Sequence, residues 1–282
     1  MKKRNGGFWL AFPALAGFAA FYLVPMAITI WYSVSFGIGQ REYVGLSNYR
    51  ELFENQMFRK AVANTGRFFA VSIPVLLIIS LSLAMIFYSN GKRTRLLRLI
   101  YFYPMVLPAA SVILGVQMIW GDKGMLDLLC ILFGAKEREW LHSSAAFWIM
   151  CILYWWKYTG FHMMIFYTRL LMIPKNYYEY AKMFGAGRAE CFRYITLPFV
   201  LPVLGFNILL AIMNSFKCYK EAFVIGGNYP DESIYVLQHF MNNNFQHLNF
   251  QKISTASVTI LLAVLLFVCS VYGVYRIRKE CR

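Results

Sequence analysis

Six long apolar runs dominate the sequence, at about residues 8–36, 61–88, 99–120, 145–171, 197–213 and 254–275. Each approaches or exceeds the roughly 20 residues a helix needs to cross bilayer hydrocarbon. Backbone N–H and C=O groups cannot be left bare in lipid, so runs of this kind must be helical or belong to a closed barrel. A barrel strand alternates apolar and polar side chains, whereas these runs are continuous. The expected fold is all-α, with about six transmembrane helices in a single membrane domain spanning residues 1–282. No internal repeat of 20–50 residues and no low-complexity tract divides it.

The first run begins after "MKKR", as a secretory leader would. It then continues past Ala20 through "FYLVPMAITIWYSVSF", which is too long for a leader core, so it reads as an uncleaved span.

The net charge of +15 would suit a nucleic-acid binder, but its placement argues otherwise. With the N-terminus inside, sixteen of the 28 basic residues fall on the inner segments: Lys2, Lys3, Arg4, Lys92, Arg93, Arg95, Arg98, Arg169, Lys175, Lys182, Arg188, Arg193, Arg276, Arg278, Lys279 and Arg282. Only Glu179, Glu190 and Glu280 oppose them, while the outer segments carry ten basic and ten acidic residues. This is the asymmetry of a multi-pass membrane protein with both termini in the cytoplasm, and nucleic acid is not an expected partner.

Chemistry-bearing motifs are absent from the sequence. It holds no GxxxxGK[ST] phosphate loop, no HExxH and no GxSxG. The histidines lack zinc spacing, and only His162 falls within a span. All thirteen acids fall in loops or tails on this reading, which disfavours both an intramembrane enzyme and a proton-driven carrier. Cys130 and Cys218 are both placed outside and are open to pairing. Arg67, near the outer end of its span, is expected to snorkel to the interface. In the first outer loop Ser47 is a candidate helix cap for a short amphipathic helix carrying Tyr49, Leu52, Phe53 and Met57.

Between the fourth and fifth runs lies "EYAKMFGAGRAECFRYITLPFVLP". Pro174 marks a turn, the residues from Lys175 to Phe184 suit a short helix, and Gly185 can take the left-handed conformation that ends one. The chain can restart as helix from Arg188 to Tyr194, with Thr196 as a cap for the next span. Such an element is too short and polar to span, and it suits docking into a groove of another protein.

This stretch carries the pattern E-x-A-x3-G-A-x5-F-x2-I-x-L-P, here Glu179, Ala181, Gly185, Ala186, Phe192, Ile195, Leu197 and Pro198. It resembles the cytoplasmic EAA loop of ATP-binding cassette importer permeases. "GLSNYRELF", the Asn64–Thr65 pair, "YFYPMVLPAA", "WWKYTGFHMMIF", "RLLMIPKNYYEYA" and "SFKCYKEAFVIGG" resemble successive segments of that family's carbohydrate-uptake branch, in order. The resemblance implies the type I importer permease fold in a bacterial-type cell membrane. It implies a second homologous permease, two ATPase subunits that bind ATP and Mg, and an extracellular solute-binding protein as partners, with no cofactor in this chain. Residues 175–198 would be the coupling loop, with Glu179 as the charged anchor, Gly185 as the bend, and Phe192 and Leu197 pinning the loop to the bundle. Tyr180 departs from the usual middle alanine, Phe184 from the aspartate common before the glycine, and "GGNYPDES" from the frequent GGP.

The cargo expected from the resemblance is a sugar or oligosaccharide; glycerol phosphate or another polar solute is the alternative, and an integral membrane enzyme the competing class. Candidate cargo-path residues are Asn207 and Asn214, seven apart on one helical face, with Tyr154, Trp156 and Lys157 on the fourth run. Lys157 can meet a cargo group or pair with backbone carbonyls or a partner chain.

Overall fold

The computed structural model describes residues 6–37, 42–134, 136 and 139–280. The positive-inside residues Lys2, Lys3, Arg4 and Arg282 lie outside the described residues. Helices carry nearly all of the order: α1 Gly6–Phe18, α2 Val24–Ser33, α3 Ser47–Glu54, α4 Gln56–Asn90, α5 Arg95–Val106, α6 Ala109–Trp120, α7 Met125–Leu132, α8 Ala145–Leu171, α9 Lys175–Met183, α10 Arg188–Cys191, α11 Leu197–Lys217, α12 Tyr219–Gly226, α13 Leu237–Gln246 and α14 Phe250–Glu280. A two-residue antiparallel ladder, β1 Ser35–Phe36 with β2 Glu42–Tyr43, lies between α2 and α3.

By length and apolarity alone, Ala11–Ser33, Gln56–Asn90, Arg188–Phe223 and Phe250–Ser270 can cross a membrane, and α5 with α6–α7 makes a fifth if counted as one broken span. Six were expected, and two departures explain the difference. The third run is not one helix: Leu107 and Pro108 are both extended, and the chain turns by 95° between Arg95–Val106 and Ala109–Leu132. Proline disfavours the helical conformation of the residue ahead of it, so Leu107–Pro108 is the natural break. The fourth run, α8, is long enough, but its tyrosines, Lys157 and Arg169 dilute its apolarity. Fifteen of its 27 residues are buried, so it is surrounded by protein, where such side chains find partners.

Two π-type turns, Ala19–Leu23 and Phe192–Thr196, interrupt otherwise continuous helices. Each stands just ahead of a Val–Pro or Leu–Pro pair. The Val24 N–H reaches back to Ala19 O, and the Leu197 N–H to Phe192 O. Pro25 and Pro198 have no N–H to give, and the wider turn absorbs the missing bond. Thr196 therefore caps nothing: it lies inside a helix running from Arg188 to Phe223. Ser47 does not cap either. It is the first residue of α3, after Leu46, and makes no capping bond.

The chain divides into two compact units. One comprises Met1–Arg59 with Phe240–Ser270. There Asn48 of α3 donates to the carbonyls of Ser33 (3.1 Å) and Ser35 (3.0 Å), and the Tyr49 hydroxyl donates to Ser33 Oγ at 2.8 Å. Leu52 and Phe58 are buried, Phe58 lies edge-on to Phe240, and Lys252 pairs with Glu51 at 2.9 Å. Phe53 stays exposed, which leaves α3 with one buried stripe, while Met57, expected on the same short helix, falls in the first turn of α4 and is exposed.

The other unit, Lys60–His239 with Val271–Arg282, holds the main core, in which Phe68, Leu76, Phe147, Tyr154, Met163, Phe166, Val200 and Ala211 are buried. α8 runs through it. Trp155 Nε1 donates to Ser72 O at 3.0 Å, and Ser80 Oγ donates to Thr159 O at 3.2 Å, tying α8 to α4. Gly160 lets α5 approach: a Cβ there would overlap the Tyr101 carbonyl. Near the N-terminal end of α4, Asn64 donates to the carbonyls of Glu232 and Tyr235, Thr65 Oγ1 accepts from the Leu237 N–H, and Lys60 pairs with Glu232. This clasp gives the Asn64–Thr65 pair its job: it ties down the loop after α12.

Cys130 and Cys218, whose pairing the sequence left open, are both free. Cys218 is buried at the turn between α11 and α12, against a cavity lined by Phe68, Met150 and Ala222, so it packs as a small apolar side chain. Arg67 stands 4.3 Å from the centre of the Phe147 ring, a cation–π contact at the protein surface.

Candidate functional site

Two constellations concern function. The first is the helix–Gly–helix at the end of α8. α9 spans Lys175–Met183 after Pro174, and Gly185 has φ +81°. The Gly185 N–H bonds Lys182 O at 3.0 Å, and the Ala186 N–H bonds Ala181 O at 2.9 Å. These are the two bonds of a Schellman ending, in which a residue with positive φ lets the chain fold back on the last turn. Ala181 and Ala186 stand at the two ends of the longer bond. Glu190 then accepts from the Gly187 N–H at 2.7 Å and steadies the start of α10. Gly187 and Glu190 were not among the expected functional residues.

Aromatic side chains hold α9 to the bundle: Tyr178 OH and Thr196 Oγ1 lie 2.9 Å apart, and the Tyr177 ring lies 5.7 Å from that of Phe199, whose carbonyl in turn accepts from Arg169 Nε of α8 at 2.8 Å. The expected pins, Phe192 and Leu197, are half-buried, as are Ala186 and Pro198. What remains outward is an apolar and aromatic face: Tyr180, Met183 and Phe184 are 61%, 81% and 91% exposed. Glu179 is exposed beside it, with no ion pair among the described residues. A face of this kind on so short a helix is built to be covered by a partner.

The second constellation is a buried polar stripe where α8 meets α11 and α12. Asn207 Oδ1 lies 2.5 Å from His162 Nδ1, and Asn207 Nδ2 donates to His162 O at 3.3 Å. Asn214 Nδ2 lies 3.5 Å from His162 Nε2, and Lys217 Nζ donates to Asn214 Oδ1 at 3.3 Å. An amide oxygen only accepts, so the imidazole proton belongs on Nδ1, leaving Nε2 to accept from Asn214. Tyr154 OH donates to Ala211 O at 2.7 Å. Further along, Lys157 of α8 forms an ion pair with Glu221 of α12, their side chains 12% and 2% exposed.

Of the expected path residues, Asn207, Asn214, Tyr154 and Lys157 converge on this stripe, while Trp156 points away and is 47% exposed. Glu221 corrects the assignment of every acid to loops or tails, because it is buried and paired with the middle of α8. His162, the one histidine within an apolar run, is buried and bonded on both ring nitrogens to the two asparagines. Nothing local announces either pairing.

Apolar membrane-length helices packed around a buried polar stripe are the build of an integral membrane protein. The family model described as "Binding-protein-dependent transport system inner membrane component" matches residues 76–278, most of the chain, and the chain belongs to that family. It is a permease subunit of an ATP-binding cassette importer. It is similar to the probable ABC transporter permease protein YesP of Bacillus subtilis, 26% identical over 99% of this chain and 94% of that one. It also resembles the sn-glycerol-3-phosphate permease protein UgpA of Yersinia pestis (27%; 91% and 89%) and the trehalose/maltose permease protein MalF of Thermococcus litoralis (26%; 97% and 95%). In fold it matches a chain of a bacterial ABC transporter involved in the import of the acidic polysaccharide alginate. The TM-score is 0.82 at 18% identity, over 97% of this chain and 96% of that one.

Proposed function

We propose that this chain carries a sugar or oligosaccharide inward across the cell membrane by alternating access. Partners supply the energy: two ATPase subunits bind ATP and Mg, and this chain performs no hydrolysis of its own. It pairs with a second, homologous permease and receives cargo from an extracellular solute-binding protein. Both termini face the cytoplasm. The observation that carries this reading is α9, whose Schellman ending and exposed Tyr180–Met183–Phe184 face suit a groove on an ATPase. The names of relatives such as MalF support a carbohydrate cargo.

The test is reconstitution of the complete importer in proteoliposomes, with uptake of labelled neutral oligosaccharides measured against ATP hydrolysis. ATP-dependent uptake of a sugar is expected, and uptake of glycerol phosphate in its place would overturn the cargo assignment. Single-cysteine labelling should find Tyr180 and Phe184 accessible from inside, and Tyr229 and Leu248 from outside; an inversion would overturn the orientation.

A further inference from the structure

Glu221 is 2% exposed, and only one of its carboxylate oxygens is used. Oε1 takes the Lys157 ammonium, and Oε2 has no hydrogen-bond partner among the described residues. The Tyr158 ring lies 5.8 Å from the same ammonium. The pair continues the stripe of His162, Asn207 and Asn214 between α8 and the α11–α12 helix. Buried ionisable and polar side chains inside a membrane bundle cost free energy and mark the route of a solute.

The charge at that point decides what can pass. A lone buried lysine would draw a phosphate or carboxylate. Here the lysine is neutralised, and what remains unpaired is an acceptor. A buried acceptor without a donor is costly, so a cargo that brings hydroxyl donors is favoured there. An ionised phosphate or carboxylate group offers no donor of its own at that point and meets a like-charged carboxylate, whatever hydroxyls the rest of the solute carries. We infer that Lys157 and Glu221 form a charge-neutral station on the cargo route, which takes uncharged polyhydroxylated cargo and selects against phosphate- and carboxylate-bearing solutes. This rests on the transport reading above and narrows its substrate class, away from a glycerol phosphate or a uronate.

Cys218, buried one turn before Glu221, is a native reporter of the field at this point. The experiment uses the assembled importer in proteoliposomes, with Cys218 as this chain's sole thiol. Methanethiosulfonates carrying a sulfonate, a trimethylammonium or a methyl group are compared in nucleotide-free and ATP-bound states, and each charged rate is normalised to the methyl reagent. In the parent the two charged rates should agree within about threefold. Glu221→Gln uncovers Lys157 and should shift the ratio toward the anionic reagent by about tenfold or more, as expected for a unit charge a few ångströms away in a weakly screened site.

Lys157→Gln should shift the ratio the other way, and the double variant should return it to the parental value. If Glu221→Gln fails to assemble, Lys157→Gln and the double variant still decide the matter. Ratios unmoved by either available single change, or a Cys218 that the methyl reagent never reaches in any state, would overturn the inference. Uptake of neutral oligosaccharides by parental vesicles reports separately on the transport reading, so the two can fail independently.

Discussion

Asn207 Oδ1 lies 2.5 Å from His162 Nδ1, and this contact joins the fourth and fifth long helices where both residues are wholly buried. In an apolar bundle a hydrogen bond gains little over the alternatives the unfolded helix finds, but an orphaned partner is costly. Asn207→Ala should therefore destabilise the detergent-solubilised protein by about 1–2 kcal/mol. Asn207→Leu combined with His162→Leu should recover part of that loss, because it removes both members of the closest contact and leaves only the longer Asn214 bond unmade. Thermal unfolding of the parent and the two variants checks both statements, and equal losses for single and double variants would contradict the pairing.

Gly185 is the second test. A Cβ there would meet nothing within 4 Å, so any effect of substitution comes from φ +81° alone. Gly185→Val should cost roughly 1–2 kcal/mol locally and open the turn. Membrane insertion should survive, while transport and stimulated ATP hydrolysis fall together. Gly185→Asn, which tolerates the left-handed region, should keep most activity. Normal transport by the valine variant would mean that the bend needs no glycine.

The segment between α12 and α14 offers a pH test. His239 is buried, with Nδ1 accepting from the Val236 N–H, and burial pushes its pKa down to about 4. The folded value lies below the unfolded value of about 6.5, so the neutral form is the stabilising one. Its contribution is complete above about pH 6.5 and is lost as pH falls toward 4, by up to about 3 kcal/mol in all. Unfolding temperatures measured from pH 7.5 to 4 should decline more steeply for the parent than for His239→Gln, which keeps an acceptor but does not titrate. Parallel curves would show that His239 is not the group responsible.

Local features of this fold could be read from the sequence, and contacts across the bundle could not. The runs that became α4, α11 and α14 are legible because continuous apolarity needs no partner to interpret. α9 and its glycine ending are equally local, with every bond within six residues. The break at Leu107–Pro108 was visible as letters, but proline is a weak signal in this bundle: Pro74 and Pro202 sit inside intact helices. Glu221 was misplaced because its burial depends on α12 folding back against a residue 64 positions earlier. For the same reason the clasp of Asn64 on Glu232, 168 residues away, showed only as a family-like dipeptide without a role.

Glu179 is the last and sharpest test of the coupling face. It is one of three acids on an inner surface that carries sixteen basic residues in the topology above, and it lies exposed beside Tyr180 and Met183. Topology accounts for the basic residues and leaves the acid unexplained. A basic residue in the groove of the ATPase would account for it. Because Glu179 makes no ion pair within the described residues, Glu179→Lys should leave the unfolding temperature of the isolated chain unchanged. In the assembled importer the outcome depends on burial at the joint: breaking one side of a buried pair costs about 3–5 kcal/mol, and an exposed pair is worth about 0–1. We predict the larger cost, seen as loss of ATPase co-purification at unchanged membrane levels of the permease. A reversed charge on the ATPase should restore assembly and identify the partner residue. Full assembly and transport by Glu179→Lys would show that the carboxylate faces water in the complex as it does in the free chain.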